Sequence, residues 1–118
     1  MLKFYGYKKC GTSRKGEKAL EELNVRYDFI DITEHPPSRS ELKKIVKLSG
    51  EPATKFFNTS GGEYRRLELK DKISSMEDDE IINLLASNGR LIKRPLVTDG
   101  SAATVGYSED HFRLTWST

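Results

Sequence analysis

Two short runs rich in aromatic and β-branched residues, Leu2–Tyr7 and Val25–Ile32, flank a stretch with helical patterning. Strand, helix, strand within roughly 30 residues is a βαβ unit, because neighbouring parallel strands need a crossover and helices supply it. This opening places the chain in the α/β class and predicts a parallel strand pair with a right-handed connection. The helix is expected from about Ser13 to Leu23, with Ala19, Leu20 and Leu23 on one face and Asn24 as its stop. Gly6 in the first strand tolerates a close approach.

The middle of the chain reads as helical. Pro36-Pro37 breaks the chain, and Ser38-Arg39-Ser40-Glu41 fits a capping box for a helix running through Leu42, Ile45 and Val46 to Gly50. Pro52 to Asn58 predicts a short helix that buries Phe56 and Phe57, and Gly61-Gly62 a turn. Tyr64 to Leu69 leans helical. A further helix is expected from around Ser75–Glu77, with Asp78 and Asp79 in its first turn, an apolar stripe of Ile81, Leu84 and Leu85, and a stop at Asn88-Gly89. The end changes character. Leu96-Val97-Thr98 and Ala103–Tyr107 read as strands around the hairpin signal Asp99-Gly100, and Ser108 caps a last helix holding Phe112 and Trp116. The order is β-α-β, a helical insertion over about 36–90, then β-β-α.

A chain of 118 residues suits one domain, taken here as 1–118. With 36% hydrophobic and 32% charged residues it is polar, yet recurring apolar clusters set it apart from a disordered chain. No apolar run reaches the roughly 18 residues of a membrane span. The Met1–Tyr5 start lacks the apolar core of a secretory leader, so no membrane association and a cytoplasmic location are the expectations. A net charge of +2 gives no argument for direct contact with nucleic acid. A single cysteine excludes an internal disulfide, and His35 and His111 match no metal spacing, so no metal is expected.

That cysteine is the focus of the chemistry. Cys10 falls where the first strand gives way to the helix, where N–H groups and the helix dipole favour an anion such as a thiolate. The first twenty residues carry Lys3, Lys8, Lys9, Arg14, Lys15 and Lys18 against Glu17 alone. Lys9 and Arg14 are the cations nearest the thiol in sequence, and the polar flanks argue against an inert buried cysteine. Ser13 stands where a Cys-x-x-Cys motif holds its second thiol. A hydroxyl cannot close a disulfide, so Ser13 is expected to cap the helix, the alternative being a hydrogen bond to the thiolate, and any redox cycle must recruit an external thiol. Arg94-Pro95 precedes the third strand. If the β-β-α end packs beside the first strand, Arg94 faces Cys10 with a guanidinium able to hold an oxyanion or carboxylate.

Cys10-Gly11-Thr12-Ser13-Arg14-Lys15 after an aromatic strand resembles the active-site start of the arsenate reductase and Spx family. Phe57-Asn58-Thr59-Ser60-Gly61 with Tyr64-Arg65-Arg66-Leu67 resembles its middle. Ile92-Lys93-Arg94-Pro95-Leu96 and Val105-Gly106-Tyr107-Ser108-Glu109-Asp110 resemble its end. The resemblance implies a thioredoxin-like fold with a mixed four-stranded sheet and a cis proline at Pro95. It implies Cys10 as nucleophile and Arg94 as oxyanion ligand, with Gly11, Thr12, Ser13, Arg14, Lys55 and Pro95 around the bound anion. Two further family arginines fall at Thr54 and Gly106, so arsenate is expected to be a poor substrate. Lys55, beside Thr54, lacks the bidentate fork of an arginine.

Two functional classes follow from the resemblance. One is an arsenate-reductase-like thiol oxidoreductase with no bound cofactor, its single cysteine resolved by an external thiol such as glutathione or by a glutaredoxin-type reductant. The other is a Spx-like regulator that binds the C-terminal domain of the RNA polymerase α subunit. A third reading, from the thiol itself, is a redox sensor modified at Cys10. Ser13 removes the dithiol switch of Spx-type members.

Overall fold

The computed structural model describes residues 2–117. Four strands form one mixed sheet in the order β2-β1-β3-β4: β1 (Leu2–Gly6), β2 (Tyr27–Asp31), β3 (Leu96–Thr98) and β4 (Ala103–Val105). β1 pairs parallel with β2, with Phe4 opposite Phe29, and antiparallel with β3, with Phe4 opposite Val97. β3 and β4 form the antiparallel hairpin turned by Asp99-Gly100, where Gly100 has φ 91. The parallel pair is joined through α1 (Gly11–Glu22), as the opening pattern requires.

The alternation of β1 sorts the core into two layers. Leu2, Phe4 and Val97 pack with Leu20 of α1 and with Phe112 and Trp116 of α5 (Glu109–Trp116). Tyr5, Leu96 and Ala103 face the other way. They meet Leu42 and Ile45 of α2 (Arg39–Ser49) and Ile81, Ile82 and Leu85 of α4 (Asp78–Ser87). Each fully buried side chain of this kind contributes about 1.5–3 kcal/mol. β1 has neighbours on both edges and helices on both faces, which is why Phe4, Tyr5 and Gly6 are all buried.

The insertion between β2 and β3 is helical: α2, a 3-10 turn over Ala53–Phe56, the short α3 (Gly62–Arg66), two further 3-10 turns, α4, and a 3-10 turn over Gly89–Leu91. It is tied back to the sheet at two places. Gly89 lies against the end of β2 so closely that a side chain there would run into the Ile32 carbonyl. Phe57 bridges Ile92, with the Asn58 N–H donating to the Leu91 carbonyl at 2.7 Å and the Lys93 N–H to the Phe56 carbonyl at 2.7 Å. The second tie brings Asn58 alongside Lys93 and Arg94.

Several boundaries differ from the sequence reading. β1 ends at Gly6, β2 spans only Tyr27–Asp31, and β4 stops at Val105, because Gly106 takes φ 75 and leaves the extended region. Gly62 starts α3 rather than completing a turn, and Tyr64–Leu69 is helical only to Arg66 before Glu68 turns left-handed at φ 53. Ser38 caps α2 by accepting the Glu41 N–H at 3.2 Å, and Gly50 closes it with φ 72. The reciprocal half of that capping box is missing, because the Glu41 carboxylate is taken by Lys3 at 2.8 Å and by the Tyr5 hydroxyl. A reciprocal box is instead formed by Glu77 and Glu80 at the start of α4.

Candidate active site

α1 begins at Gly11, two residues earlier than its sequence pattern suggests, and its N-cap is Cys10 itself. The Cys10 backbone is extended (φ -95, ψ 121), its N–H donates to the Tyr7 carbonyl at 2.9 Å, and its carbonyl accepts the Arg14 N–H at 3.1 Å. Ser13 is therefore in the first turn of the helix and is not its cap. Its hydroxyl is wholly buried and accepts the Tyr7 N–H at 3.1 Å. An accepting hydroxyl keeps its own proton to donate, and the Ser13 hydroxyl is one of the groups that favour the ionised form of Cys10.

The thiol is half-buried, and burial by itself pushes it up. Hydrogen bonds from the Ser13 N–H, the Arg94 guanidinium, the Thr12 N–H and the Ser13 hydroxyl outweigh that effect and hold Cys10 below the range of an ordinary thiol. The sequence reading names the helix N-terminus, Lys9, Arg14 and, from across the fold, Arg94 for this role. The structure assigns it to Ser13, Arg94 and Thr12, while the exposed Arg14 turns back to donate to the Lys8 carbonyl at 3.3 Å. The site thus draws on the helix N-terminus and on one cation from across the fold.

Arg94 comes from the segment just before β3. The Arg94–Pro95 peptide is cis, and the Pro95 carbonyl accepts the Gly106 N–H at 2.9 Å. The guanidinium lies 5.3 Å from the centre of the Tyr7 ring, within cation–π range, and its Nη1 is buried without a hydrogen-bond partner among the described residues. Gly16 makes this approach possible. A Cβ there would sit 2.9 Å from Pro95 Cγ and 3.1 Å from Phe4 Cε2, so α1 rests directly on the proline ring.

Cys10 opens into a cavity of about 340 Å³ lined by Tyr7, Lys9, Thr12, Asn58, Lys93 and Arg94 among others. Cys10, Thr12, Ser13 and Arg94 are thus brought together, with Gly11 supplying the exposed first residue of the helix and Pro95 packing against it. Lys55 is placed elsewhere. It pairs with Glu51 at 2.9 Å and lines a neighbouring cavity with Gly106, Tyr107 and His111, sharing only Thr12 and Lys93 with the Cys10 cavity. Sequence reasoning quoted Asn58 and Lys93 as family features without giving them a place at the thiol. The backbone tie between residues 56–58 and 91–93 puts them there. At Gly106, where a family arginine was expected, a Cβ would fall 2.9 Å from Lys93 Cε, so the lysine stem fills that space. Among the described residues no cluster of His, Cys, Asp and Glu could hold a metal, and no helix is long and apolar enough to cross a membrane.

The family model described as the ArsC family matches residues 5–115. The chain belongs to the ArsC family. Its sheet order, the cis proline packed on α1 just before β3 and the helical insertion make the fold thioredoxin-like. The chain is 53% identical over 116 residues to the uncharacterized protein YusI of Bacillus subtilis, covering 98% of each chain. It is similar to the crystal structure of a possible arsenate reductase from Streptococcus mutans, with 47% identity, 91% of each chain covered and a TM-score of 0.84. It is also 27% identical to the global transcriptional regulator Spx 1 of Oceanobacillus iheyensis, over 96% of this chain and 85% of that protein. ArsC-family membership thus spans arsenate-reductase-like and Spx-like proteins.

Proposed function

We propose that this ArsC-family protein is a thiol oxidoreductase in which Cys10 is the nucleophile and an external thiol completes the cycle. The observation that carries this reading is the Cys10 thiol at the start of α1, beside Ser13, Thr12 and Arg94 and open to a cavity lined by Lys9, Lys93 and Arg94. The Cys10 thiolate attacks one sulfur of a disulfide. The old S–S bond breaks, its other half leaves as a thiolate, and Cys10 is left in a mixed disulfide. A second thiol then attacks the outer sulfur, releases Cys10 as thiolate and leaves its proton to solvent. A lowered pKa makes Cys10 a good leaving group in that second step. The absence of another cysteine makes the external thiol obligatory. Glutathione or a glutaredoxin-type protein is the proposed reductant.

The test is direct. Reduced protein is mixed with glutathione disulfide and followed by mass spectrometry. The reading expects one glutathionyl adduct on Cys10, released by added glutathione, and none in Cys10→Ser. An unreactive Cys10, or an adduct that glutathione does not release, would overturn it. The 27% identity to Spx 1 favours a second reading, a regulator that binds the RNA polymerase α subunit. Retention on the immobilised C-terminal domain of that subunit, together with an unreactive Cys10, would favour it over the first.

A further inference from the structure

The Cys10 cavity does not end at Arg94. A second cavity of about 340 Å³ lies beside it, lined by Glu63, Arg66, Arg90 and Arg94 together with residues 58, 61 and 62. The two share Asn58, Gly61 and Arg94, and so form one cleft with the thiol in one chamber. Gly61 keeps the junction tight, since a Cβ there would fall 2.6 Å from Asn58 Nδ2. The second chamber carries three arginines against one carboxylate.

That carboxylate is already engaged. Glu63 is paired with Arg66 through Nε and accepts from Asn88 Nδ2 at 3.2 Å. Arg66 keeps its two terminal amino groups for a ligand, because among the described residues only its Nε is engaged. The Arg90 side chain has no ion pair or hydrogen bond among the described residues. Arg94 lines both chambers, and its Nη1 is buried without a hydrogen-bond partner among the described residues. Planar guanidinium forks match carboxylates bidentately, and three guanidiniums around one engaged carboxylate, each with N–H groups left over, are the chemistry of an anion subsite.

We propose that this second chamber is a recognition subsite for the carboxylate of a small disulfide or thiol, with Arg66 and Arg90 as its specificity-determining residues. The inference rests on the thiol-exchange reading of Cys10 and names the class of substrate: one whose sulfur reaches Cys10 while a carboxylate on its body meets the arginines. The exchange is the one already balanced above. The carboxylate takes no part in bond making, and it orients the sulfur and raises its local concentration.

The experiment compares glutathione disulfide with its tetraethyl ester, which has the same sulfur and masked carboxylates. Rates of Cys10 adduct formation are measured at low and high salt in wild type, Arg66→Ala/Arg90→Ala, Arg90→Gln and Lys47→Ala, the last an exposed cation on α2. The acid is expected to react roughly tenfold faster than the ester in wild type and in Lys47→Ala, the lower end of the range for charge-assisted hydrogen bonds. That ratio should fall about fivefold in the double variant, part of the way in Arg90→Gln, and towards the double variant's value at high salt. A ratio that persists in both arginine variants would overturn the subsite, assigning any preference to Lys9, Lys93 and Arg94 around the thiol. A wild-type protein that reacts with neither disulfide would instead overturn the exchange reading on which the subsite rests.

Discussion

Gly16→Ala probes the packing that holds the two halves of the site together. In an ordinary helix interior this change stabilises by about 0.8–1 kcal/mol, because alanine is the better helix former. Gly16 lies in α1 and is buried, and a Cβ there would meet Pro95 Cγ at 2.9 Å and Phe4 Cε2 and Cζ at 3.1 and 3.2 Å. Neither neighbour can swing away. The proline ring is rigid, and Phe4 is fully buried with its ring stacked on Phe29 at 5.8 Å between centres. Overpacking of this kind costs about 1–3 kcal/mol, and with two unyielding neighbours the upper half of that range applies. The net expectation is a loss of about 1–2 kcal/mol, or a melting temperature lower by roughly 3–10 °C for a chain of this size. Gly62→Ala is the control, since nothing lies within 4 Å of the added Cβ; it should leave stability unchanged or slightly raised. The assay is urea and thermal unfolding by circular dichroism, with iodoacetamide reactivity of Cys10 at neutral pH measured in parallel. Pushing α1 away from the Arg94–Pro95 segment should also slow alkylation. A Gly16→Ala protein as stable as wild type would refute the claim that α1 is seated directly on Pro95.

Other expectations follow from the same contacts. Ser13→Ala strips the Tyr7 N–H of its acceptor and the thiolate of a donor; it should cost about 1–3 kcal/mol in urea unfolding and move Cys10 back towards an ordinary thiol. Burial raises Glu41, but its bonds to Lys3 and Tyr5 prevail and hold it below the usual carboxylate range, while burial and Glu41 push Tyr5 above the usual phenol range. The Glu41 contribution is therefore present above about pH 4.3 and lost as pH falls through its depressed value. The Tyr5 contribution is present below about pH 10 and lost as pH rises beyond it. Glu41→Gln should flatten both arms of the stability–pH curve, and an unchanged curve would contradict the assignment. Arsenate turnover with glutathione and glutaredoxin should fall roughly 10²–10⁴-fold below that of a site with all three arginines, since Thr54 and Gly106 supply no guanidinium and each lost charged hydrogen bond is worth about 1.5–3 kcal/mol.

What the sequence made legible was local. The alternating aromatic runs fixed β1 and β2 to within a few residues, Ser38 and Gly50 marked the ends of α2, and Asp99-Gly100 announced the hairpin. The start of α1 was misread because Ser13 has the chemistry of a cap, while the backbone places Cys10 in that role and buries the Ser13 hydroxyl beneath it. Of the three cations the sequence offers, Lys9 and Arg14 are nearest along the chain, yet the thiol takes its cation from Arg94, across the fold. Lys55 was set beside the anion by register alone, and its ion pair with Glu51 and its separate cavity depend on the path of the insertion. The meeting of Asn58 with Lys93 and Arg94 depends on two backbone hydrogen bonds between segments some 35 residues apart, which no local pattern encodes.

The central claim is that Cys10 is a thiolate nucleophile, and the measurement closest to it is the rate of Cys10 alkylation by iodoacetamide as a function of pH. Read by mass spectrometry, the rate follows the ionised fraction of this one thiol. The account predicts a midpoint clearly below the roughly 8.5 of an unperturbed cysteine, with Arg94→Ala displaced upward because the guanidinium is one of the groups holding the thiolate. A wild-type midpoint at or above that ordinary value would contradict it.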